Sequence, residues 1–212
     1  MKRLILSEGQ NDTFFLRELL TTKLLIPDEK ILSFDQGTRE IHKSRKAIQQ
    51  RYFDRLLTGH ESFDILIKSE GGKSKIIPVT ASQLIYLCKQ RCTPVILIDI
   101  DNDSMVTPLK KKIDSFIKDL KSEIEMRFKN QQFVIKQVYV DKTKEAELWV
   151  ANILCKTNNN CYGQIYIIGF YRTLEKEIGM DKKKDKDSVM LMKVKKFIKN
   201  STIHQLFSTA LE

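Results

Sequence analysis

Asp99-Ile100-Asp101-Asn102-Asp103 puts three carboxylates within five residues, directly after the apolar run Pro94-Val95-Ile96-Leu97-Ile98. Ionised carboxylates held this close repel one another, and a cation between them relieves the repulsion. The expected cation is a hard divalent metal, Mg²⁺ or Mn²⁺. Glu8 supplies a further carboxylate after another apolar run, Leu4-Ile5-Leu6. Gly71-Gly72-Lys73-Ser74 follows a third, near residues 63–67. One glutamate, two or three aspartates and a lysine are the parts of a metal-assisted phosphoryl-transfer site.

Elements far apart in the chain must bring these groups together. Short apolar runs bounded by proline, glycine or polar clusters read as buried strands. Side chains alternate along a strand, so Asp99 and Asp101 share a side. In an open α/β sheet, ligands sit outside the carboxyl ends of the strands. Glu8, Asp99 and Asp101 are therefore expected to converge at one sheet edge, with Lys73 nearby.

The rest of the chain supports such a sheet. Helices are expected over about 13–24, with Asp12 as N-cap, and over 40–57, 76–90, 108–129 and 144–155, the last holding Trp149. Further strands are expected over 30–34, 133–140 and 164–168. From residue 172 the pattern is helical, broken by the lysine-rich stretch 180–188. Alternating strands and helices predict a doubly wound, mostly parallel α/β sheet with a small C-terminal helical appendage. The expected division is an α/β domain over 1–171, with a helical insertion near 38–60, and a helical segment over 172–212.

Leu4-Ile5-Leu6-Ser7-Glu8-Gly9-Gln10-Asn11-Asp12 resembles the first motif of TOPRIM domains, an apolar strand, Glu-Gly, then a helix starting near an Asp. Val95-Ile96-Leu97-Ile98-Asp99-Ile100-Asp101 resembles their second, an apolar strand ending in Asp-x-Asp. The two occur in the family's order, and the resemblance covers about residues 3–170. TOPRIM domains share Mg²⁺-dependent strand transfer or hydrolysis at phosphodiesters. The resemblance implies that Glu8 is the general acid/base or a metal ligand. It implies that Asp99 and Asp101 bind the metal with help from Asp103. Lys73, in a glycine-lysine turn similar to that of OLD-like members, would steady a scissile phosphate by charge.

The chain has 212 residues, 37 Lys and Arg against 27 Asp and Glu, and a formal net charge of +10. Such a charge attracts polyanions, with nucleic acid first among them. The predicted helix over 40–57 has a basic face of Lys43, Arg45, Lys46, Arg51 and Arg55 that suits backbone phosphates. The expected function is Mg²⁺-dependent nucleic-acid processing by phosphodiester hydrolysis. The alternative is a non-catalytic nucleic-acid-binding or scaffold protein of the same fold. No apolar run approaches the ~18 residues of a membrane span. The N-terminus lacks the pattern of a signal peptide, so a cytoplasmic protein without membrane contact is expected. A homodimer or a separate partner protein is expected, and since no Walker-type phosphate loop is present, an OLD-like ATPase module would be a separate chain. The four cysteines lack structural zinc spacing and are expected to be free thiols, the alternative being a Cys155–Cys161 disulfide across a loop.

Overall fold

The computed structural model describes residues 2–34, 63–70, 72–89, 92–99, 109–129, 132–155, 161–181 and 187–212. The predicted basic helix, with Lys43, Arg45, Lys46, Arg51 and Arg55, lies outside the described residues, as do Asp101 and Asp103.

In chain order the elements are β1 (Arg3–Ser7), α1 (Gln10–Thr22), a 3₁₀ turn (Asp28–Lys30), β2 (Ile31–Phe34), β3 (Ile65–Ser69) and α2 (Lys73–Lys89). Then come β4 (Pro94–Ile98), α3 (Leu109–Arg127), β5 (Phe133–Lys142), β6 (Ala146–Cys155) and β7 (Cys161–Phe170). Three helices close the chain, α4 (Leu174–Ile178), α5 (Asp187–Asn200) and α6 (His204–Leu211). The strands form a single seven-stranded sheet in the order β2-β3-β1-β4-β7-β6-β5. The pairings from β2 to β7 are parallel, and β6 runs antiparallel to both neighbours. The fold is α/β with a mostly parallel mixed sheet.

Strand alternation divides the core in two. Leu4, Leu6, Ile96, Ile98, Ile165 and Ile167 face α2 and α3, which contribute Ile76, Leu84, Ile113, Leu120 and Ile124. Ile5, Val95, Leu97, Ile168 and Phe170 face the other way, onto α1 and the C-terminal helices. Both faces of the central strands are thus buried, and that is why they read as continuous apolar runs. Val194, Ile198, Leu206 and Phe207 pack beside Phe15 and Leu19, so α5 and α6 complete the helical layer that α1 begins.

The expected helix over 144–155 is instead strand β6. Lys144-Glu145-Ala146-Glu147-Leu148 are strong helix formers, but partners on both sides override that preference. Ala146 and Leu148 pack on one face of the sheet, while Trp149, Ala151 and Ile153 pack on the other. Glu147 fixes this region by accepting from Trp149 Nε1 at 2.9 Å and from the Tyr171 hydroxyl at 3.0 Å. The alternating segment 133–140 is indeed a strand, β5, at the sheet edge and largely exposed.

Gly169 on β7 lies beneath α3. A Cβ there would come within 2.8 Å of Leu109 Cδ1 and 3.5 Å of Ile113 Cδ1. Because the obstacle is the end of a flexible side chain, Gly169→Ala is expected to cost about 1–2 kcal/mol. The check is a lower urea midpoint with an unchanged slope. Among the described residues, no helix is long and apolar enough to cross a membrane.

Candidate functional site

β1 and β4 lie side by side in parallel, with Leu4 opposite Pro94 and Leu6 opposite Ile96. Glu8 and Asp99 each follow such a strand, so both emerge at the same edge. They meet directly, as the Asp99 backbone N–H donates to Glu8 Oε1 at 3.1 Å across a separation of 91 residues. The convergence expected of these two residues therefore occurs.

Asp12 belongs to the same cluster. The expected N-cap role passes to Gly9, because the helix begins at Gln10 and Asp12 stands at its third position. From there its Oδ2 accepts the Glu8 N–H at 3.0 Å and the Gly9 N–H at 2.8 Å. A carboxylate in the first turn also suits the positive end of the helix dipole. Asp12 is only 5% exposed, so its charge acts through protein rather than water. It holds the Glu8-Gly9 backbone that presents the Glu8 side chain.

The fourth carboxylate comes from α4. Thr173 Oγ1 caps this short helix by accepting the Lys176 N–H, and Gly179 ends it in the left-handed conformation at φ 74°. That conformation favours glycine because a Cβ crowds the backbone there. The Leu174 N–H donates to Asp99 Oδ2 at 3.1 Å. One residue on, Glu175 Oε1 accepts from Asn11 Nδ2 at 3.0 Å. The helix thus ties α1 and Asp99 together.

These neighbours make Asp99 unusual. Burial, then the Asp12 charge, push its carboxyl up to about 8; Glu8 and Glu175 push the same way and the Leu174 N–H bond opposes them. A carboxyl so placed holds either a proton or a cation near neutral pH. Glu70, just beyond β3, is also buried at this edge, but its Oε1 is paired with Lys68 Nζ at 2.7 Å. Lys73 opens α2 beyond that strand rather than lying within a turn, and Gly72 before it has φ 129°.

The donor set fits a hard cation in chemistry, since carboxylate oxygens are its preferred ligands. Among the described residues no three Asp, Glu, His or Cys side chains form a complete metal-binding group. Neither Asp12 nor Glu175 is marked as a site residue by its local sequence, for different reasons. Asp12 stands inside the first motif, where its position predicts only a cap. Glu175 sits in an ordinary helical stretch with no motif to mark it. The chain matches no protein-family model, no curated protein and no solved structure.

Proposed function

We propose that this chain is a Mg²⁺-dependent nucleic-acid-processing protein of the TOPRIM type that hydrolyses phosphodiesters. The observation that carries this reading is the contact between Glu8 and the start of the Asp-x-Asp segment at the ends of adjacent parallel strands. A formal net charge of +10 favours a polyanionic substrate. Glu8 and Asp99, with Asp101 and Asp103 from the following segment, would hold the cation. Bound Mg²⁺ would supply charge neutralisation at the phosphate. Glu8, presented by the Asp12-bonded backbone, would accept or deliver a proton at the reacting oxygen. Lys73, at the start of α2, would offset phosphate charge.

A second reading is a nucleic-acid-binding or scaffold protein without turnover. It is favoured by the hydrogen bond from the Leu174 N–H to Asp99 Oδ2, which gives that carboxyl a structural task.

The test is a panel of labelled DNA and RNA substrates with Mg²⁺ or Mn²⁺. Glu8→Gln and Asp101→Asn are each expected to lower cleavage by about 100-fold or more, roughly 3 kcal/mol of transition-state stabilisation. Equal cleavage by all three proteins would remove the catalytic assignment. Binding without cleavage by any of them would select the scaffold reading.

A further inference from the structure

Two further acidic residues, Glu145 and Glu177, line a cavity outside the Glu8–Asp99 cluster. A cavity of about 280 Å³ is lined by Lys144, Glu145, Glu177, Phe197, Asn200 and Ser201. Glu145 comes from the β5–β6 turn, which is well fixed: Thr143 Oγ1 accepts the N–H groups of Glu145 and Ala146, and the Tyr171 N–H donates to the Glu145 carbonyl. Ser201 is held at the end of α5, its N–H donating to the Phe197 carbonyl at 2.9 Å.

Two buried side chains here each leave an oxygen without a hydrogen-bond partner. Glu145 is 4% exposed, and its Oε2 has no hydrogen-bond partner. Its Oε1 lies 3.9 Å from Lys144 Nζ, whose own side chain is 74% exposed and well solvated. Ser201 is 5% exposed, and its Oγ also has no partner. Leaving a buried carboxylate oxygen unpaired is costly, so a donor that arrives here gains what water has lost. Glu145 and Glu177 also feel one another. Burial pushes the Glu177 carboxyl up; Arg172 pulls it down, and Glu145 pushes it further up.

The chemistry of the lining selects the ligand. Two carboxylates exclude an anion. The cavity is much larger than a bare ion, and among the described residues no three acidic, His or Cys side chains could hold a metal. An alkylammonium group carries one positive charge and three donors. It can be shared between two carboxylates and a hydroxyl, while its alkyl part lies on an aromatic ring. We propose that this cavity binds a small organic ammonium ion, seated between Glu145 and Glu177 with the Ser201 hydroxyl as a further acceptor and Phe197 as its apolar wall. The site is distinct from the Glu8–Asp99 cluster and does not depend on its function.

The probe is 1,4-diaminobutane, titrated calorimetrically into the full chain. Saturable one-to-one binding is expected, with Kd below about 1 mM. The chain's positive net charge repels amines in general, so such binding reports a local site. Glu145→Gln and Glu177→Gln should each weaken it at least about tenfold. The neutral isostere 1,4-butanediol should not bind, and Asp99→Asn should leave the affinity unchanged. If Glu145→Gln fails to fold, Glu177→Gln, at a half-buried position, carries the test. Absence of saturation, affinity that survives Glu177→Gln, equal binding of the diol, or loss of binding in Asp99→Asn would each overturn the proposal.

Discussion

Phe15→Ala is expected to lower the free energy of unfolding by about 3–5 kcal/mol. The Phe15 side chain is fully buried on α1. Its ring meets Phe170 of β7 at 6.1 Å between centroids, Phe197 of α5 at 6.0 Å and Phe207 of α6 at 6.4 Å, all in tilted or edge-to-face geometry. Such pairs add to the area term rather than merely filling space. Truncation removes the body that joins one helix, one strand and both final helices, and three rings cannot collapse into the gap without moving their backbones. Urea denaturation should show the loss as a lower midpoint. The neighbouring Phe14, 41% exposed, is the control, and Phe14→Ala should stay within about 0.5 kcal/mol. A similar cost at both positions would mean that α5 and α6 do not lean on α1 in solution. The same substitution bears on the site, because α1 carries Asp12 and through it the Glu8-Gly9 backbone.

The central strands could be read from the sequence because burial on both faces leaves an unmistakable run. Leu4-Ile5-Leu6 and Val95-Ile96-Leu97-Ile98 have no polar position to hide the pattern. The meeting of Glu8 with Asp99 could be read for the same reason, since parallel neighbours of similar length deliver their following residues to one edge. Strand β6 could not. The stretch 144–148 that leads into it favours a helix by local propensity, and its true state depends on β5 and β7, which lie outside any local window. Glu175 was invisible for a related reason. Its place in the cluster comes from the Leu174–Asp99 and Asn11–Glu175 bonds, with separations of 75 and 164 residues. Composition carries no trace of contacts at that range. The cavity with Glu145 and Ser201 joins a turn and two helix ends, which is again tertiary placement and not pattern.

The carboxyl edge therefore combines a rigid part and a charged part. Backbone N–H groups of Glu8, Gly9, Asp99 and Leu174 are all spent on carboxylate oxygens. Those bonds fix where Asp12, Glu8 and Asp99 stand, yet every acceptor added brings another negative charge. Preorganised groups of this kind suit a cation or a developing positive centre, because their charges repel one another without it.

Asp99→Asn is accordingly expected to stabilise the protein in alkaline solution, by about 3–5 kcal/mol near pH 9. An unfolded aspartate releases its proton near pH 4, whereas the folded carboxyl keeps it up to about 8. Between those values the folded state binds more protons than the unfolded one, so wild-type stability falls as pH rises through that window and levels off above it. Asparagine carries no charge and still offers an oxygen to the Leu174 N–H. The variant should match wild type near pH 4, then diverge upward, as thermal unfolding over the range will show. An equal difference at both ends would mean that Asp99 titrates in the folded protein as it does in the unfolded chain. A divalent cation changes the balance in one direction only, because it takes the place of the proton. Added Mg²⁺ should raise the wild-type midpoint at pH 8 and do little at pH 5, where protons compete. In Asp99→Asn the rise should be largely lost, since a ligand stabilises only the state it binds. A variant that gains stability while losing its response to Mg²⁺ would identify Asp99 as a metal ligand kept for function at the expense of the fold.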